Sequence, residues 1–207
     1  MGKFASYGRV PPKLVAGERC LDFLNTVEWR GRPEAREERL TSYGEFAIWA
    51  KAAGLIDGRQ QRQLMALAAK APRAAAKALA EIQQAREALA VLLAGPATRR
   101  APSIAAINRI LARDRFVLRL ESDKAGYREC WELECPQLRQ PLLALLREVA
   151  TLLASPDLAR IHHCANDHCQ WFFLDTSRNQ SRRWCRMEIC GNNAKARVYY
   201  HRHRSGT

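Results

Sequence analysis

The order of apolar and polar residues predicts a chain built mainly from helices. Through most of the first 155 residues, apolar residues recur three or four positions apart, as on the buried side of an amphipathic helix. Five predicted helices begin at a capping residue or at a proline in the first turn. These start positions are Ser42, Asp57, Pro72, Pro102 and Pro141, and a further short helix is predicted over residues 20–29.

The period of the pattern changes to two after residue 115. Apolar residues alternate with others from Phe116 to Leu120, and turn residues at 123–126 precede a second run, from Tyr127 to Leu133. This predicts one β-hairpin in an otherwise helical region. The predicted fold class is therefore mainly α with a β-hairpin (α+β) for an N-terminal domain over residues 10–155.

A small C-terminal module is predicted over residues 156–204, where four cysteines have the spacing C-x4-C-x15-C-x4-C. Two short thiol pairs separated by a loop match the ligand set of a tetrahedral structural zinc ion. Two disulfides would use the same residues. However, the N-terminus has no apolar signal segment, so we expect a cytoplasmic location, where thiols stay reduced. The predicted ligands of one structural zinc ion are Cys164, Cys169, Cys185 and Cys190.

The other cysteines and the histidines are not expected to bind metal. Cys130 and Cys135 repeat the C-x4-C spacing, but two residues five positions apart on one strand face opposite sides. We interpret both, and Cys20, as buried thiols. All five histidines follow residue 155, and four thiolates already complete the zinc shell; His163 and His168 adjoin ligands and are the nearest substitutes.

The charge of the chain indicates an anionic partner. Its 207 residues include 34 Lys and Arg against 21 Asp and Glu, a formal net charge of +13. A zinc ion held by four thiolates lowers this by about two. Such an excess favours nucleic acid, and an arginine-rich surface without a specific partner is the alternative. The longest apolar stretch, residues 141–154, is interrupted by Arg147 and Glu148, so no membrane partner is predicted.

The end of the module is predicted to be a basic helix. Cys190-Gly191-Asn192 is typical of a helix entry, with Asn192 or Asn193 as the cap. On a helical wheel, basic residues lie on both sides of a narrow apolar stripe, an arrangement that suits a phosphate backbone. The predicted nucleic-acid contacts are Arg182, Arg183, Lys195, Arg197 and Arg202.

Other roles are open for several residues of the module. Arg183 and Arg186 could instead serve the negative charge of the zinc centre. Trp171, Phe172 and Trp184 are interpreted as the small core of the module rather than as platforms for stacked bases.

Two motifs resemble known bacterial families. The stretch Asp175-x-Ser177-x4-Arg182-Arg183-Trp184-Cys185-x-Met187-x2-Cys190-Gly191-Asn192-x2-Lys195 is similar to the CGNR-type zinc finger. Leu21-Asp22-Phe23-Leu24-Asn25-Thr26 resembles the opening motif of the ABATE domain, which precedes that finger. The resemblance covers about residues 10–204. It implies a stress-induced transcription regulator with a DNA-binding finger and an N-terminal domain of sensing role.

One residue departs from the finger motif, because Asn193 stands where the motif has an arginine. If that arginine contacts nucleic acid, the contact is lost or passes to Arg197. If it neutralises the zinc–thiolate charge, the arginines at 182, 183 and 186 could compensate. The sequence is compatible with both.

The leading hypothesis is a DNA-binding regulator whose N-terminal domain senses a ligand or mediates oligomerisation. The alternative is a zinc-stabilised module that binds protein or RNA without sequence-specific DNA binding. We expect no enzymatic activity, since no catalytic triad, phosphate loop or carboxylate pair stands out. Asp22 and Asn25 are candidates for a small-molecule pocket, with helix capping or buried hydrogen bonding as their alternative role. A homodimer is compatible with the sequence.

Overall fold

Helices and two-stranded antiparallel sheets make up the part of the chain that the computed structural model describes, residues 6–113, 116–123, 126–133, 137–196 and 200. The helices are α1 Arg19–Leu24, α2 Tyr43–Ala52, α3 Gly58–Lys70, α4 Pro72–Ala94, α5 Arg100–Leu111 and α6 Gln140–Leu153. The strands are β1 Val27–Glu28, β2 Glu37–Glu38, β3 Phe116–Asp123, β4 Gly126–Leu133, β5 Ile161–His163 and β6 Phe172–Leu174. The predicted fold class is confirmed.

The predicted helix starts agree closely with the structure. The Ser42 hydroxyl accepts a hydrogen bond from the Glu45 N–H at 3.2 Å, and Asp57 forms a reciprocal capping box with Gln60. Pro72 occupies the first turn of α4. One start is shifted, because α5 begins at Arg100, two residues before Pro102. Local capping chemistry therefore determines most of the helix boundaries.

The predicted helix over residues 20–29 is wrong in its second half. The structure ends α1 at Leu24, and Val27 and Glu28 pair instead with Glu38 and Glu37 as the β1–β2 ladder. The Thr26 hydroxyl donates to the Phe23 carbonyl at 2.7 Å, a local bond that competes with continuation of the helix. Pairing with β2 and this local bond together override the apolar periodicity.

A buried ion network lies behind β2. Arg86 of α4 is 1% exposed and donates to Thr26 Oγ1 at 2.9 Å, to Glu38 Oε1 at 2.7 Å and to Glu87 Oε1 at 3.0 Å. Burial would raise the pKa of Glu87, but hydrogen bonds and charge from Arg30 and Arg86 outweigh it and lower that pKa to about 2. The network joins α4 to the end of α1 and to the β1–β2 ladder, so both are held in a fixed position.

Strand β6 belongs to two apolar clusters. Phe172 and Leu174 lie in the large core formed by the helices, whereas Phe173 lies in a smaller cluster with the four C-terminal cysteines. Alternate residues of a strand point to opposite faces, so one short strand serves both clusters. Helix α6 ends just before the predicted domain boundary at residues 155 and 156, but the large core continues across it.

Asn25 attaches β6 to α1. Its side-chain amide donates to the Phe172 carbonyl at 2.9 Å, and its side-chain oxygen accepts from the Phe172 N–H at 2.8 Å. Two residues further along, the Leu174 N–H donates to the Ala16 carbonyl at 2.8 Å. Asn25 therefore replaces a neighbouring strand and satisfies both backbone groups of a buried residue.

The predicted hairpin is formed by β3 and β4, whose antiparallel register runs from Phe116 opposite Leu133 to Asp123 opposite Gly126. Two of its apolar side chains are largely exposed, Leu120 at 75% and Tyr127 at 89%.

Among the described residues, no helix is both long and apolar enough to cross a membrane.

Replacing Asn25 with alanine should destabilise the protein by about 2–4 kcal/mol, because the Phe172 N–H and carbonyl are then left buried without partners. Chemical denaturation of the zinc-loaded protein measures the change. Asn108→Ala, at an exposed position on α5, is the matched control and should change stability by less than about 1 kcal/mol. Equal effects of the two substitutions would show that the bridge to β6 contributes little.

Candidate metal centre

The four predicted ligands come together at one point. Their sulfur atoms all lie within 4.8 Å of one another, with 3.7 Å between Cys169 and Cys185 and 3.6 Å between Cys185 and Cys190. A tetrahedron with Zn–S bonds of 2.3 Å places its sulfurs about 3.8 Å apart, whereas a disulfide requires about 2.0 Å. All four residues are buried free thiols. The cluster is the site of a single structural zinc ion.

The electrostatics of the cluster do not allow all four thiols to ionise unless a cation is bound. Hydrogen bonds from the neighbouring thiols, that of Cys169 first, lower the pKa of Cys164 to about 2. Hydrogen bonding to Cys164 in turn raises the pKa values of Cys169 and Cys185. Sulfurs at these separations cannot all carry negative charge unless a metal ion lies between them. A bound zinc ion supplies that charge and is enclosed by four protein ligands.

The first cysteine pair lies on a turn at the end of the β5–β6 hairpin. The Cys164 N–H donates to the Trp171 carbonyl at 2.8 Å, and the Cys169 N–H donates to the Asn166 carbonyl at 2.7 Å. In the second pair, Cys185 precedes a π-helical turn over Met187–Gly191 that contains Cys190.

A loop from the helical region packs closely on the first cysteine turn. A Cβ atom added to Gly31 would lie 2.2 Å from the backbone oxygen of Asp167, so any larger residue would displace the loop. Trp29 and Gln170, which flank this contact, both have positive φ, at 57° and 52°. The two chain segments therefore approach each other in backbone conformations that few residues adopt without strain.

Arg182 is fixed inside the module rather than offered to a partner. Its guanidinium donates to the carbonyls of Cys185 at 2.6 Å, Trp184 at 3.0 Å, Val15 at 3.2 Å and Leu174 at 3.3 Å. Four of its five N–H groups are thereby used. The geometry assigns Arg182 to holding the zinc module against residue 15 and leaves little of it for the predicted phosphate contact.

Asp175 fixes the loop that carries Arg182. Its carboxylate accepts hydrogen bonds from the Ser177 hydroxyl at 2.5 Å, the Ser177 N–H at 2.8 Å and the Arg182 N–H at 2.9 Å. These bonds, that of the Ser177 hydroxyl first, hold the pKa of Asp175 below its usual value. The Asp-x-Ser element of the motif thus fixes the backbone on which Arg182 sits.

The aromatic residues divide between the two clusters. Trp171 and Trp184 pack against the cysteine cluster, as predicted, but Phe172 faces the helix core. The prediction that Phe172 belongs to the core of the module is therefore wrong. Within the described residues, no histidine joins the metal cluster.

The remaining nucleic-acid candidates lie on the outer surface or outside the described residues. Arg183 and Lys195 are exposed, and the Arg183 guanidinium lies 5.5 Å from the centre of the Trp184 ring. Arg197 and Arg202 lie outside the described residues. The predicted helix is present, since residues 192–196 are α-helical, but it follows the π-helical turn over Met187–Gly191 without a break, so Asn192 and Asn193 lie within it rather than capping its start.

Asp22 and Asn25 both line a small cavity beside the zinc module, but both also have structural roles. The Asp22 Oδ1 atom accepts the N–H groups of Val15 and Ala16 at 2.8 and 3.0 Å. Burial raises the pKa of Asp22 to about 6, against the effect of these two N–H groups. Sequence reasoning missed Arg39, Glu28 and Tyr7, which line the same cavity but show no spacing pattern.

Comparison with known families identifies both regions. The CGNR zinc finger family matches residues 160–203. The ABATE family, described as "Putative stress-induced transcription regulator", matches residues 17–156. No curated protein matches the chain. The resemblance inferred from the two motifs is confirmed.

Wild-type protein should contain about one zinc ion per chain, and Cys185→Ser should lose it, because three thiolates and a hydroxyl bind zinc much less tightly. Elemental analysis of the purified proteins measures the zinc content. Cys20→Ala, which removes a buried thiol outside the cluster, is the control and should retain the metal. If Cys185→Ser keeps a full complement of zinc, the ligand assignment is wrong.

The Asp22→Asn variant should fold and should become more stable than wild type as the pH rises. The folded state holds the Asp22 proton more tightly than the unfolded state, so this contribution to stability is present below about pH 4 and is lost by about pH 6. The amide oxygen of asparagine can still accept the two N–H groups. Denaturation at several pH values should show the difference growing by about 1 kcal/mol between pH 5 and pH 7. A difference that does not change with pH would contradict the raised pKa.

Proposed function

The chain belongs to the ABATE family and ends in a CGNR zinc finger, and we propose from this premise that it is a transcription regulator that binds DNA through the surface around its zinc module. The zinc ion would act structurally, since four thiolates leave no coordination position for a substrate. The proposal is therefore of a binding protein and not of an enzyme.

A basic groove on the zinc module is the observation that carries the proposal. The groove has a volume of about 1000 Å³ and lies between the segment 10–15 and the arginine loop 181–188. Its charged lining residues are Lys13, Arg182, Arg183, Arg186 and Glu188. Four of these five are basic, so the groove attracts a phosphate backbone.

Arg183 and Lys13 are better placed to contact DNA than the other charged residues of the groove. Arg183 is exposed and has one described side-chain contact, the stacking on Trp184. Lys13 is also exposed, on the opposite wall. The Arg182 guanidinium already donates to carbonyl groups. The Arg186 Nε atom lies 3.6 Å from the Glu188 Oε2 atom. We therefore keep Arg183, Lys195, Arg197 and Arg202 as phosphate contacts, add Lys13, and reassign Arg182 to a positioning role.

Binding to a protein is the second candidate, and exposed apolar side chains favour it. Met187 and Ile189 on the π-helical turn are 43% and 42% exposed beside the metal ligand Cys190. Apolar side chains of this size commonly mark protein contacts when they form a patch. The two candidates differ in their dependence on salt.

DNA affinity should fall steeply with salt. If about four phosphates are contacted, the plot of log K against log salt concentration has a slope of roughly −3.6 on duplex DNA, and each lost contact flattens it by about 0.9. Arg183→Ala and Lys195→Ala should each show that flattening in fluorescence anisotropy titrations. Arg197→Ala and Arg202→Ala test the two candidates outside the described residues in the same way.

Arg109→Ala is the control, because Arg109 is an exposed arginine on α5, away from the groove. It should leave the slope unchanged. Binding to DNA that ignores salt, or equal slopes for all variants, would contradict the proposal. In that case Met187→Ser and Ile189→Ser would test the protein-binding alternative.

A further inference from the structure

A small cavity lies where the helical region meets the zinc module. Its volume is about 110 Å³, and its walls come from α1, α2, the segment 7–13 and Trp171. Each molecule in liquid water takes up a volume of about 30 Å³, so the cavity holds about four waters or one small organic molecule. Pockets for nucleotides or drug-sized ligands are several times larger, about 300 Å³ or more.

One wall of the cavity carries a buried carboxylate with an unused acceptor atom. Asp22 is 7% exposed, and its Oδ1 atom accepts both backbone N–H groups that reach this side chain. Its Oδ2 atom accepts no hydrogen bond from the described residues. This oxygen is open to the cavity rather than sealed in the core, so it is suited to a ligand that brings its own N–H groups.

The opposite charge comes from Arg39 and Lys13. The Arg39 side chain is 7% exposed, its Nε lies 3.8 Å from Glu28 Oε1, and its guanidinium stacks 4.8 Å from the centre of the Tyr7 ring. Lys13 is exposed at the rim. With Asp22 and Glu28, the charged lining residues are two acids and two bases, so the lining has no net charge. A ligand with a single charge would leave either the acidic or the basic residues of the lining without an opposite charge.

Two tryptophans complete the lining. Trp49 is buried on α2, and Trp171 belongs to the zinc module. Indole rings offer apolar contact and attract ammonium groups held over their faces. They also limit the size of any ligand between them.

We propose that this cavity binds a small zwitterion of the size of glycine or alanine, with its ammonium group at Asp22 and its carboxylate at Arg39 and Lys13. The ligand would donate N–H groups to Asp22 Oδ2 and accept hydrogen bonds from the basic side chains. Its overall neutrality matches that of the lining.

The position of Trp171 connects such a ligand to the metal module. The Trp171 carbonyl accepts the N–H of the zinc ligand Cys164, and the next residue, Phe172, is held by Asn25, which also lines the cavity. A bound ligand would therefore touch both regions at their junction and stabilise their contact. If the proposed DNA binding also holds, the ligand changes DNA affinity through this junction.

Binding is tested on the zinc-loaded full chain without DNA, so its outcome is independent of the DNA proposal. Glycine and L-alanine should raise the thermal unfolding midpoint in a concentration-dependent way and give a saturable calorimetric signal. Glycinamide, which lacks the carboxylate, and N-acetylglycine, which lacks the ammonium group, should bind at least about tenfold more weakly. Equal effects of all four compounds would overturn the proposal, as would no signal from glycine or alanine.

Variants locate the binding site. Asp22→Asn keeps the acceptor for Val15 and Ala16 but removes the carboxylate, and it should weaken glycine binding at least about tenfold. Lys13→Ala, at an exposed position with little risk to folding, should weaken binding by a smaller factor. Glu34→Gln, at an exposed acidic residue outside the cavity, is the control and should bind as wild type. Unchanged affinity of Asp22→Asn and Lys13→Ala would place the site elsewhere and overturn the proposal.

Discussion

The structure depends on a three-residue strand that is shared by two apolar clusters. Phe172 and Leu174 of β6 fill the helix core, whereas Phe173 faces the zinc cluster. The side chain of Asn25 completes the hydrogen bonding of this strand from the helical side. Because the metal fixes the turn that leads into β6, zinc binding and packing of α1 are physically coupled. We therefore expect zinc binding to stabilise the packing of α1 as well as the zinc module.

Some arginines of this chain act inside the protein. Arg86 joins three elements through carboxylates and a threonine, and Arg182 holds four backbone carbonyls around the zinc module. A planar guanidinium with five donors can satisfy several fixed acceptors at once, which a lysine cannot do. Arginines held in this way stabilise the fold and are not offered to an external partner.

The sequence predicted the features that depend on neighbouring residues. Helix caps, the long hairpin and the four cysteines follow from local spacing, and the structure reproduces them. It did not predict the end of α1, because Thr26 and Asn25 form bonds that depend on distant partners. Nor did it predict the roles of Phe172 and Arg182. A strand with three apolar residues does not show which face meets which core, and an arginine in a basic motif looks the same whether it binds carbonyls or phosphates.

The hairpin β3–β4 has a consequence for the solution behaviour of the protein. It forms a sheet of only two strands, so each strand keeps an outer edge without a strand partner in that sheet. Such edges, with Leu120 and Tyr127 exposed beside them, can recruit strands from other molecules. Arg119, Glu121 and Arg128 lie along the same strands, and their charges oppose the close stacking of many identical copies. We therefore expect the charged residues of these strands to disfavour pairing of the hairpin edges with other molecules.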